Sequence, residues 1–290
     1  MSNIVLGQKV SYPQNYSPDV LFPVARQLNR DGLGLQPDSL PFVGADAWHA
    51  YEASCLTNAG LPVVGLLKIV YPCTSPYIVE SKSLKLYLNS FNMERMGATR
   101  LDAIENMSAR VQRDLSALLK SDVLVAFHSN ADSHRIWDTS GFIVLEDSVD
   151  ADAMSILSYT EDPALLVADA ASRGGRLRVQ SHLLRSNCRV THQPDWGTVF
   201  IDIDSSLLPD KQALLAYVVS LRGENHFHEE ICELIFTRLL AKFQPRSLMV
   251  CCVYTRRGGI DICPARATDT GLLPDALLNP ECLTPKLLRQ

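Results

Sequence analysis

Residues 186–196 (SNCRVTHQPDW) carry two side chains whose types and spacing could do covalent chemistry. Cys188 stands seven residues before Asp195, across a turn that contains Pro194, at the junction of two strand-like segments. A thiolate can act as a nucleophile and a carboxylic acid can act as a proton donor. A small buried cysteine followed by an ordinary Pro-Asp turn is the alternative, and for an isolated pair it is the better interpretation.

Residues 79–91 (VESKSLKLYLNSF) place hydroxyls and lysines at the start of a helix. Such a start suits a phosphate, because its N–H groups point outward, its dipole favours an anion and the lysines add charge. Glu80, just before it, could accept two hydrogen bonds from an amidine-like edge such as that of guanine. A serine cap with solvated lysines is the alternative, which this stretch favours when it is taken alone.

Residues 225–230 (NHFHEE) open the last long helix. Their adjacent histidine and glutamate could bind a polar heterocycle or move protons, and Phe227 could cover a flat ring. His228 and Cys232 have the i, i+4 spacing of metal ligands on a helix, but no third ligand stands nearby in the sequence, so we expect no metal. Helix capping and packing are the alternative.

Residues 254–261 (YTRRGGID) combine arginine with glycine. This combination lets the backbone approach an anion while guanidinium groups bind it. A hairpin turn with exposed arginines is the alternative. The sequence contains neither a Gly-x-Gly-x-x-Gly motif after a strand nor a P-loop, so it shows no general nucleotide-binding motif.

The composition is that of a folded protein with a sizeable core. The chain has 290 residues, of which 47% are hydrophobic and 20% charged, and its formal net charge of -5 gives no global basic field for nucleic acid. No apolar run approaches the ~20 residues of a membrane span, and the first nine residues do not resemble a signal peptide, so we expect a cytoplasmic protein. The eight cysteines include no Cys-x-x-Cys pair, which favours reduced thiols.

Hydrophobic periodicity predicts the same order of elements twice: strand, strand, helix, helix, strand, strand. Strands are expected over 48–56, 61–71, 122–128, 141–145, 177–188, 196–204, 248–255 and 259–263. Helices are expected over 82–92, over 104–118 with Thr99 and Asp102 as a capping box, over 209–221, and from a cap at Asn225 through 239.

This pattern predicts an α+β fold of two tandem modules, each with helices on one face of an antiparallel sheet. The predicted boundaries are an irregular leader over 1–40, a first module over 41–147, a connecting segment over 148–176 and a second module over 177–290.

The four stretches together resemble one known family. Residues 80–87 (ESKSLKLY) are similar to the signature motif of the NADPH-dependent 7-cyano-7-deazaguanine reductases, the QueF family. Residues 186–196, 227–229 and 256–261 resemble its other landmarks in the same order. The leader segments 12–16 and 28–30 fit the long, two-module form of this family.

The resemblance implies a fold, a reaction and an assembly. It implies tunnelling-fold modules that assemble side by side into barrels, with the signature in the first module and the cysteine in the second. It also implies NADPH as cofactor, the substrate 7-cyano-7-deazaguanine, and a homodimer with sites at module interfaces. The product, 7-aminomethyl-7-deazaguanine, is a precursor of queuosine in tRNA.

Residue roles follow from the same resemblance. Cys188 would add to the nitrile carbon to give a covalent thioimide, Asp195 would protonate the nitrile nitrogen, and two hydrides from two NADPH would complete the reduction. His228 would also relay protons. The residues implied for binding the deazaguanine are Val79, Glu80, Ser81, Phe227, His228 and Glu229, and those for NADPH are Ser81, Lys82, Arg257 and Gly258.

These roles set requirements on the two reacting groups. Cys188 must be partly ionised, for which Arg189 and His192 are candidate neighbours, although alternation along the strand would turn Arg189 away. Asp195 must stay protonated at neutral pH to act as an acid, which requires a desolvated site beside Trp196.

Two other classes compete with the reductase. A different tunnelling-fold enzyme on a pterin or purine, such as a cyclohydrolase, would need a zinc-type Cys/His set, which the sequence does not display. A non-catalytic binding protein for a modified base or for tRNA would need a broad basic surface, which the acidic balance disfavours. Binding alone also needs no nucleophile such as Cys188.

Overall fold

The computed structural model describes residues 13–130 and 134–285, together with Leu287 and Arg289. Tyr12 of the leader motif lies outside the described residues. The strands are β1 (Pro23–Ala25), β2 (Val43–Thr57), β3 (Pro62–Pro72), β4 (Tyr77–Val79), β5 (Arg95–Gly97), β6 (Leu124–His128), β7 (Ile143–Val144), β8 (Gly175–Ser181), β9 (Arg185–Cys188), β10 (Pro194–Ser205), β11 (Asn225–His226), β12 (Ser247–Tyr254) and β13 (Ile260–Ala267). The helices are α1 (Gln27–Arg30), α2 (Ser81–Asn89), α3 (Arg100–Leu119), α4 (Lys211–Ser220), α5 (His228–Phe243) and α6 (Asp275–Leu278).

One sheet of eleven strands runs through both halves of the described chain. Its central path is β11-β9-β10-β12-β13-β2-β3-β6, with β5, β7 and β8 attached beside it. The halves join where β13 pairs antiparallel with β2, from Ile260 opposite Ala50 to Ala267 opposite Val43. Because this pairing is continuous, residues from the two halves can share one wall of a site.

The long helices cover one face of this sheet. In the first half α3 packs on β2, β3 and β6, and in the second half α5 packs on β12 and β13. Met107, Val111 and Leu115 of α3 are fully buried, as their helical spacing predicts. The α+β class, with a largely antiparallel sheet and helices on one face, is therefore confirmed, while the module boundaries stay a prediction.

Local capping decides where the helices begin. Thr99 and Asp102 form the predicted capping box, each accepting a backbone N–H of the other. The predicted cap at Asn225 is wrong, because the backbone of Asn225 instead pairs in parallel with Asn187. Helix α5 begins three residues later, and Glu230 closes its first turn by accepting the Phe227 N–H at 3.0 Å.

Two predicted strands are shorter than expected. The segment 177–188 is divided into β8 and β9 by a turn at which the Ser181 hydroxyl accepts the Leu183 N–H. The segment 141–145 forms only Ile143–Val144, and this short strand pairs with β8 of the second half. A hydroxyl that competes for backbone N–H groups explains the first break, which a hydrophobicity pattern does not reveal.

No helix among the described residues is long and apolar enough to cross a membrane.

Candidate active site

A cavity of about 460 Å³ lies where the two halves of the chain meet. The first half contributes Trp48, Ile78, Val79, Ser81, Lys82 and Lys85. The second half contributes Cys188, Thr191, Gln193, Asp195, His226, Phe227, His228, Glu229, Arg257, Gly258, Ile260 and Ile262. All of the predicted site residues except Glu80 line this cavity, whose volume suits a small-molecule ligand.

Cys188 is held at the end of β9 between two neighbouring strands. Its N–H donates to the Gln193 carbonyl at 2.8 Å, and its carbonyl accepts the His192 N–H at 2.9 Å. His192 has a positive φ of 56°, which lets the chain reverse tightly between β9 and β10. Cys188 is half-buried, whereas the other seven cysteines are buried. It is therefore the thiol that a ligand in the cavity can reach.

Asp195 is a buried carboxylate that contacts a histidine and an arginine. It is 3% exposed, its Oδ2 lies 3.4 Å from His228 Nε2, and its Oδ1 accepts a hydrogen bond from Arg257 Nη1. Burial raises the pKa of Asp195, but the hydrogen bond and charge of His228, together with Arg257, outweigh it and hold the pKa below its usual range. The expectation that Asp195 is protonated beside Trp196 is therefore wrong for the free protein.

His228 is fixed by its place at the first position of α5 and by a stacking partner. Its ring lies parallel to that of Tyr254, with centroids 3.9 Å apart and an angle of 10°. Its Nδ1 is buried and has no hydrogen-bond partner in the described part of the chain. Because buried polar atoms are normally paired, this nitrogen is available to a ligand in the cavity.

Glu229 points from the same helix start into the interior. It is 2% exposed, and its Oε1 lacks a hydrogen-bond partner among residues 13–130 and 134–285. Burial and the nearby negative charge of Asp46 raise the pKa of Glu229 to about 8. This carboxyl group is consequently neutral at pH 7 in the free protein, and binding a ligand that donates hydrogen bonds would favour its ionised form.

Glu80 lies under the start of α2 instead of in the cavity wall. Its Oε1 accepts the Lys82 N–H at 3.1 Å and its Oε2 accepts the Ser83 N–H at 2.7 Å, so the carboxylate caps the helix. It is 1% exposed. The predicted contact of Glu80 with a guanine edge does not follow from this arrangement, because its acceptors serve the helix that positions Ser81 and Lys82.

The turn after β12 closes the mouth of the cavity. Lys85 Nζ donates to the Gly258 carbonyl at 2.7 Å and lies 3.2 Å from Glu52 Oε2, so α2 and this turn are held together. Gly259 has a φ of 81°, and a Cβ there would lie 2.5 Å from the Glu52 carboxyl carbon. The left-handed backbone conformation therefore favours glycine at this position, whereas the flexible Glu52 side chain could move to admit a Cβ.

Two predicted neighbours of Cys188 have other partners. Arg189 is exposed and its Nη1 lies 2.8 Å from Glu230 Oε1, in line with the expectation that it turns away. His192 Nδ1 lies 2.7 Å from Asn225 Oδ1. Cys232 is buried in the core and its thiol faces the Val250 carbonyl at 3.4 Å, so it is not in the cavity wall with His228.

Sequence reasoning missed several residues of the wall, above all Trp48 and Lys85. Lys85 follows Lys82 by three positions, so helical spacing alone could have placed both amines on one face of α2. No sequence pattern indicated that Trp48 lies in the cavity wall. Its indole N–H is buried and lacks a hydrogen-bond partner within the described ranges, and only the pairing of Trp48 with Ile262 brings it to the wall.

The fold and the site define an α+β enzyme with a reachable thiol, a buried aspartate that contacts a histidine and an arginine, and lysines at a helix start. Comparison with known proteins then identifies the particular family. Residues 12–127 match the family described as "Nitrile reductase, 7-cyano-7-deazaguanine-reductase N-term", and residues 194–271 match the family "QueF-like protein".

Several curated relatives match over nearly the whole chain. The NADPH-dependent 7-cyano-7-deazaguanine reductase of Aromatoleum aromaticum is 45% identical over 91% of this chain and 90% of its own length. The enzymes of the same name from Psychrobacter cryohalolentis and Dechloromonas aromatica are 40% and 41% identical, each over 93% of this chain and over 95% and 92% of their own lengths. The chain therefore belongs to the NADPH-dependent 7-cyano-7-deazaguanine reductase family.

Among solved structures, the apo archaeosine synthase QueF-Like is 18% identical to this chain. The match has a TM-score of 0.30 and covers 34% of this chain and 98% of that one.

Proposed function

We propose that this protein reduces the nitrile group of 7-cyano-7-deazaguanine to a primary amine with NADPH, in the synthesis of queuosine for tRNA. The observation that carries the proposal is the cavity that joins the half-buried thiol of Cys188 to the buried Asp195. The names of the curated relatives supply the substrate and the cofactor.

The wall of the cavity suits a guanine-like ring. Such a ring donates from a ring N–H and an amino group and accepts at a carbonyl oxygen. Glu229 Oε1 is a buried acceptor that could pair with the donors of such a ring, and the buried Trp48 N–H could donate to its carbonyl oxygen. Ile260 and Ile262 offer flat apolar contact, and we assign Phe227 to the same covering role.

The proposed reaction begins with transfer of the Cys188 thiol proton. We assign Asp195, ionised in the free protein, as the base that takes the Cys188 thiol proton, directly or through His228. The thiolate then adds to the nitrile carbon, and protonated Asp195 returns the proton to the nitrile nitrogen, so that a thiol and a nitrile give a neutral thioimide. The same residue thus serves as base and as acid, which removes the need for a protonated Asp195 at the outset.

The residues at the cavity mouth fit the phosphates of NADPH. Ser81 and Lys82 lie at the N-terminus of α2, where the Ser81 hydroxyl and the positive charge of Lys82 suit an anion, although the Lys82 and Ser83 N–H groups already donate to Glu80. Arg257 and Gly258 lie across the mouth from them, with Arg257 Nη2 donating to Gln193 Oε1 at 2.6 Å. NADPH bound there supplies one hydride for the thioimide and, from a second molecule, one for the imine left when the C–S bond breaks. His228 is placed to relay the protons that each reduction requires.

We also propose a cytoplasmic homodimer that does not itself bind nucleic acid. The dimer and the compartment follow from the family resemblance, and the net charge of -5 supports the absence of a tRNA site. Analytical ultracentrifugation would test the dimer, and a filter-binding assay with unmodified tRNA would test the last point. A monomer, or saturable tRNA binding at physiological salt, would contradict these assignments.

The decisive experiment separates the covalent step from the reduction. The protein is mixed with 7-cyano-7-deazaguanine in the absence of NADPH, and its intact mass is measured by mass spectrometry. We expect a mass increase equal to the whole substrate in the wild type and none in Cys188→Ala, while Cys55→Ala, at a buried thiol that does not line the cavity, keeps the adduct. When NADPH is then added, about two molecules of NADPH should be oxidised for each nitrile group reduced. An adduct that persists in Cys188→Ala would overturn the proposal.

A further inference from the structure

A second group of chemically active side chains lies on the face of the sheet opposite the catalytic cavity. It consists of His49 on β2 with Asp261 and Cys263 on β13, and all three are buried. His49 and Asp261 are direct partners across the β2–β13 pair. Because side chains alternate along a strand, the intervening Trp48 and Ile262 face the cavity while this group faces away from it.

The ligand atoms of this group converge on one oxygen. Asp261 Oδ1 lies 2.6 Å from His49 Nδ1 and 3.7 Å from Cys263 Sγ, and all three ligand atoms lie within 4.8 Å of one another. The other carboxylate oxygen, Oδ2, accepts a hydrogen bond from the Tyr51 hydroxyl at 2.7 Å. The carboxylate is therefore oriented by Tyr51, with Oδ1 turned towards the nitrogen and the sulfur. An orienting partner of this type is usual behind metal ligands.

We propose that His49, Asp261 and Cys263 form a binding site for a divalent transition metal of the zinc class. An imidazole nitrogen, a carboxylate oxygen and a thiolate are the donors that zinc takes, whereas magnesium and calcium prefer oxygen alone. Tetrahedral zinc with bonds of about 2.0–2.3 Å separates neighbouring ligand atoms by about 3.3–3.6 Å. The sulfur–oxygen distance of 3.7 Å is only slightly longer than this, and the His49–Asp261 pair must open by roughly 0.7 Å.

Room for a fourth ligand lies beside the cluster. A second cavity, of about 160 Å³, is lined by His49 and Cys263 together with Thr139 and Thr284. It can hold a water molecule on the metal, which gives three protein ligands and one exchangeable position. This cavity is separate from the catalytic one, with which it shares no lining residue.

Metal binding would have a defined proton balance and a structural effect. The ion displaces the Cys263 thiol proton to solvent and replaces the His49–Asp261 hydrogen bond, so that Nδ1 coordinates and the ring proton resides on Nε2. His49 belongs to the first half of the chain and the other two ligands to the second. The ion would therefore cross-link the halves at the strand pair that also presents Trp48 and Ile262 to the cavity.

Metal titration of the full-length protein tests the site directly. Protein stripped with a chelator and dialysed is loaded with ZnCl₂, and the bound metal is counted by mass spectrometry. Cys188→Ala serves as the parent, so that the catalytic thiol contributes nothing. We expect about one tightly held zinc per chain. Cobalt substituted for zinc should show a sulfur-to-metal charge-transfer band, which reports thiolate ligation without any further mutation.

Variants then locate the ion. Cys263→Ser and His49→Gln in the same parent should lose the zinc and the charge-transfer band, whereas Cys55→Ser, at a buried thiol on the helix side of β2, should keep both. Zinc should also raise the melting temperature of the parent but not of the two variants. A parent that retains no zinc after dialysis, or variants that retain as much as the parent, would overturn the proposal. Circular dichroism confirms that each variant is folded.

Discussion

His228 Nε2 lies 3.4 Å from Asp195 Oδ2, a contact that joins the start of α5 to β10 at the back of the catalytic cavity. Arg257 holds the other oxygen of the same carboxylate. Burial raises the pKa of Asp195, but its interactions with His228 and Arg257 hold the pKa below its usual range. This pairing explains how a buried aspartate can be ionised when it meets a thiol, and it leads to the first prediction.

Asp195→Asn should abolish the proton transfer while leaving the fold intact, because the amide keeps the size of the side chain. We expect kcat to fall by about 10²–10⁴-fold and the thioimide to form correspondingly slowly. Steady-state NADPH oxidation and time-resolved intact mass measure the two effects. Asp204→Asn, at a more exposed carboxylate on the same strand, is the matched control and should retain wild-type rates.

Glu229 should make the protein less stable as the pH rises. Its pKa is raised to about 8 in the folded state, so the neutral form is favoured by folding. The contribution is complete below the usual carboxyl pKa and is lost as the pH rises through about 8, a change on the order of 3–5 kcal/mol. Urea unfolding from pH 5 to pH 9 measures it. The same series with Glu229→Gln should be flatter, and an equal slope would contradict this assignment.

Trp48→Phe should weaken substrate binding without affecting the cofactor. The change removes the buried indole N–H and retains most of the apolar ring, so a lost hydrogen bond of about 1 kcal/mol should raise the KM for 7-cyano-7-deazaguanine by about 5–10-fold. The KM for NADPH should stay the same. Trp137→Phe, at a tryptophan outside the catalytic cavity, serves as control. Equal effects on both KM values would argue against a direct contact.

Lys82→Met should weaken the binding of NADPH without affecting the reaction with 7-cyano-7-deazaguanine. Loss of one cation at the α2 start should raise the KM for NADPH by about tenfold and reduce its dependence on salt concentration, since exposed charge pairs are screened. Adduct formation in the absence of NADPH should not change. Lys120→Met, at the C-terminal cap of α3, removes a cation elsewhere and should leave both measurements as they are.

Arg266→Met should destabilise the junction of the two halves. Arg266 is fully buried, with Nη1 2.8 Å from Asp46 Oδ1 and Nη2 2.8 Å from Glu233 Oε1. Its removal leaves the buried carboxylates of Asp46 and Glu233 with one positive charge fewer beside them. We expect this change to lower the free energy of unfolding by about 3–5 kcal/mol. Arg246→Met, which breaks a more exposed pair with Asp204, should cost less than about 1 kcal/mol in the same urea titration.

The sequence by itself determined the order of the elements and the α+β class, and its resemblance to a known family indicated most of the residues assigned to the catalytic cavity. The elements depend on neighbours within a few positions. The helical spacing of Met107 and Val111 sets the buried face of α3, and the capping box of Thr99 and Asp102 sets its first turn. The spacing of Cys188 and Asp195 follows likewise from a hairpin that short-range hydrogen bonds close. Local patterns of this kind are legible in one sequence.

Only the tertiary structure decided the charge of Asp195, the place of Trp48 and the cluster on the far face of the sheet. A pKa depends on every charge nearby, and Arg257 lies 62 residues from Asp195 along the chain. His49 and Asp261 are separated by 212 residues and meet because β13 pairs with β2 in one register. Strand partners that are distant in sequence leave no local signal, so contacts between them appear only when the sheet is assembled.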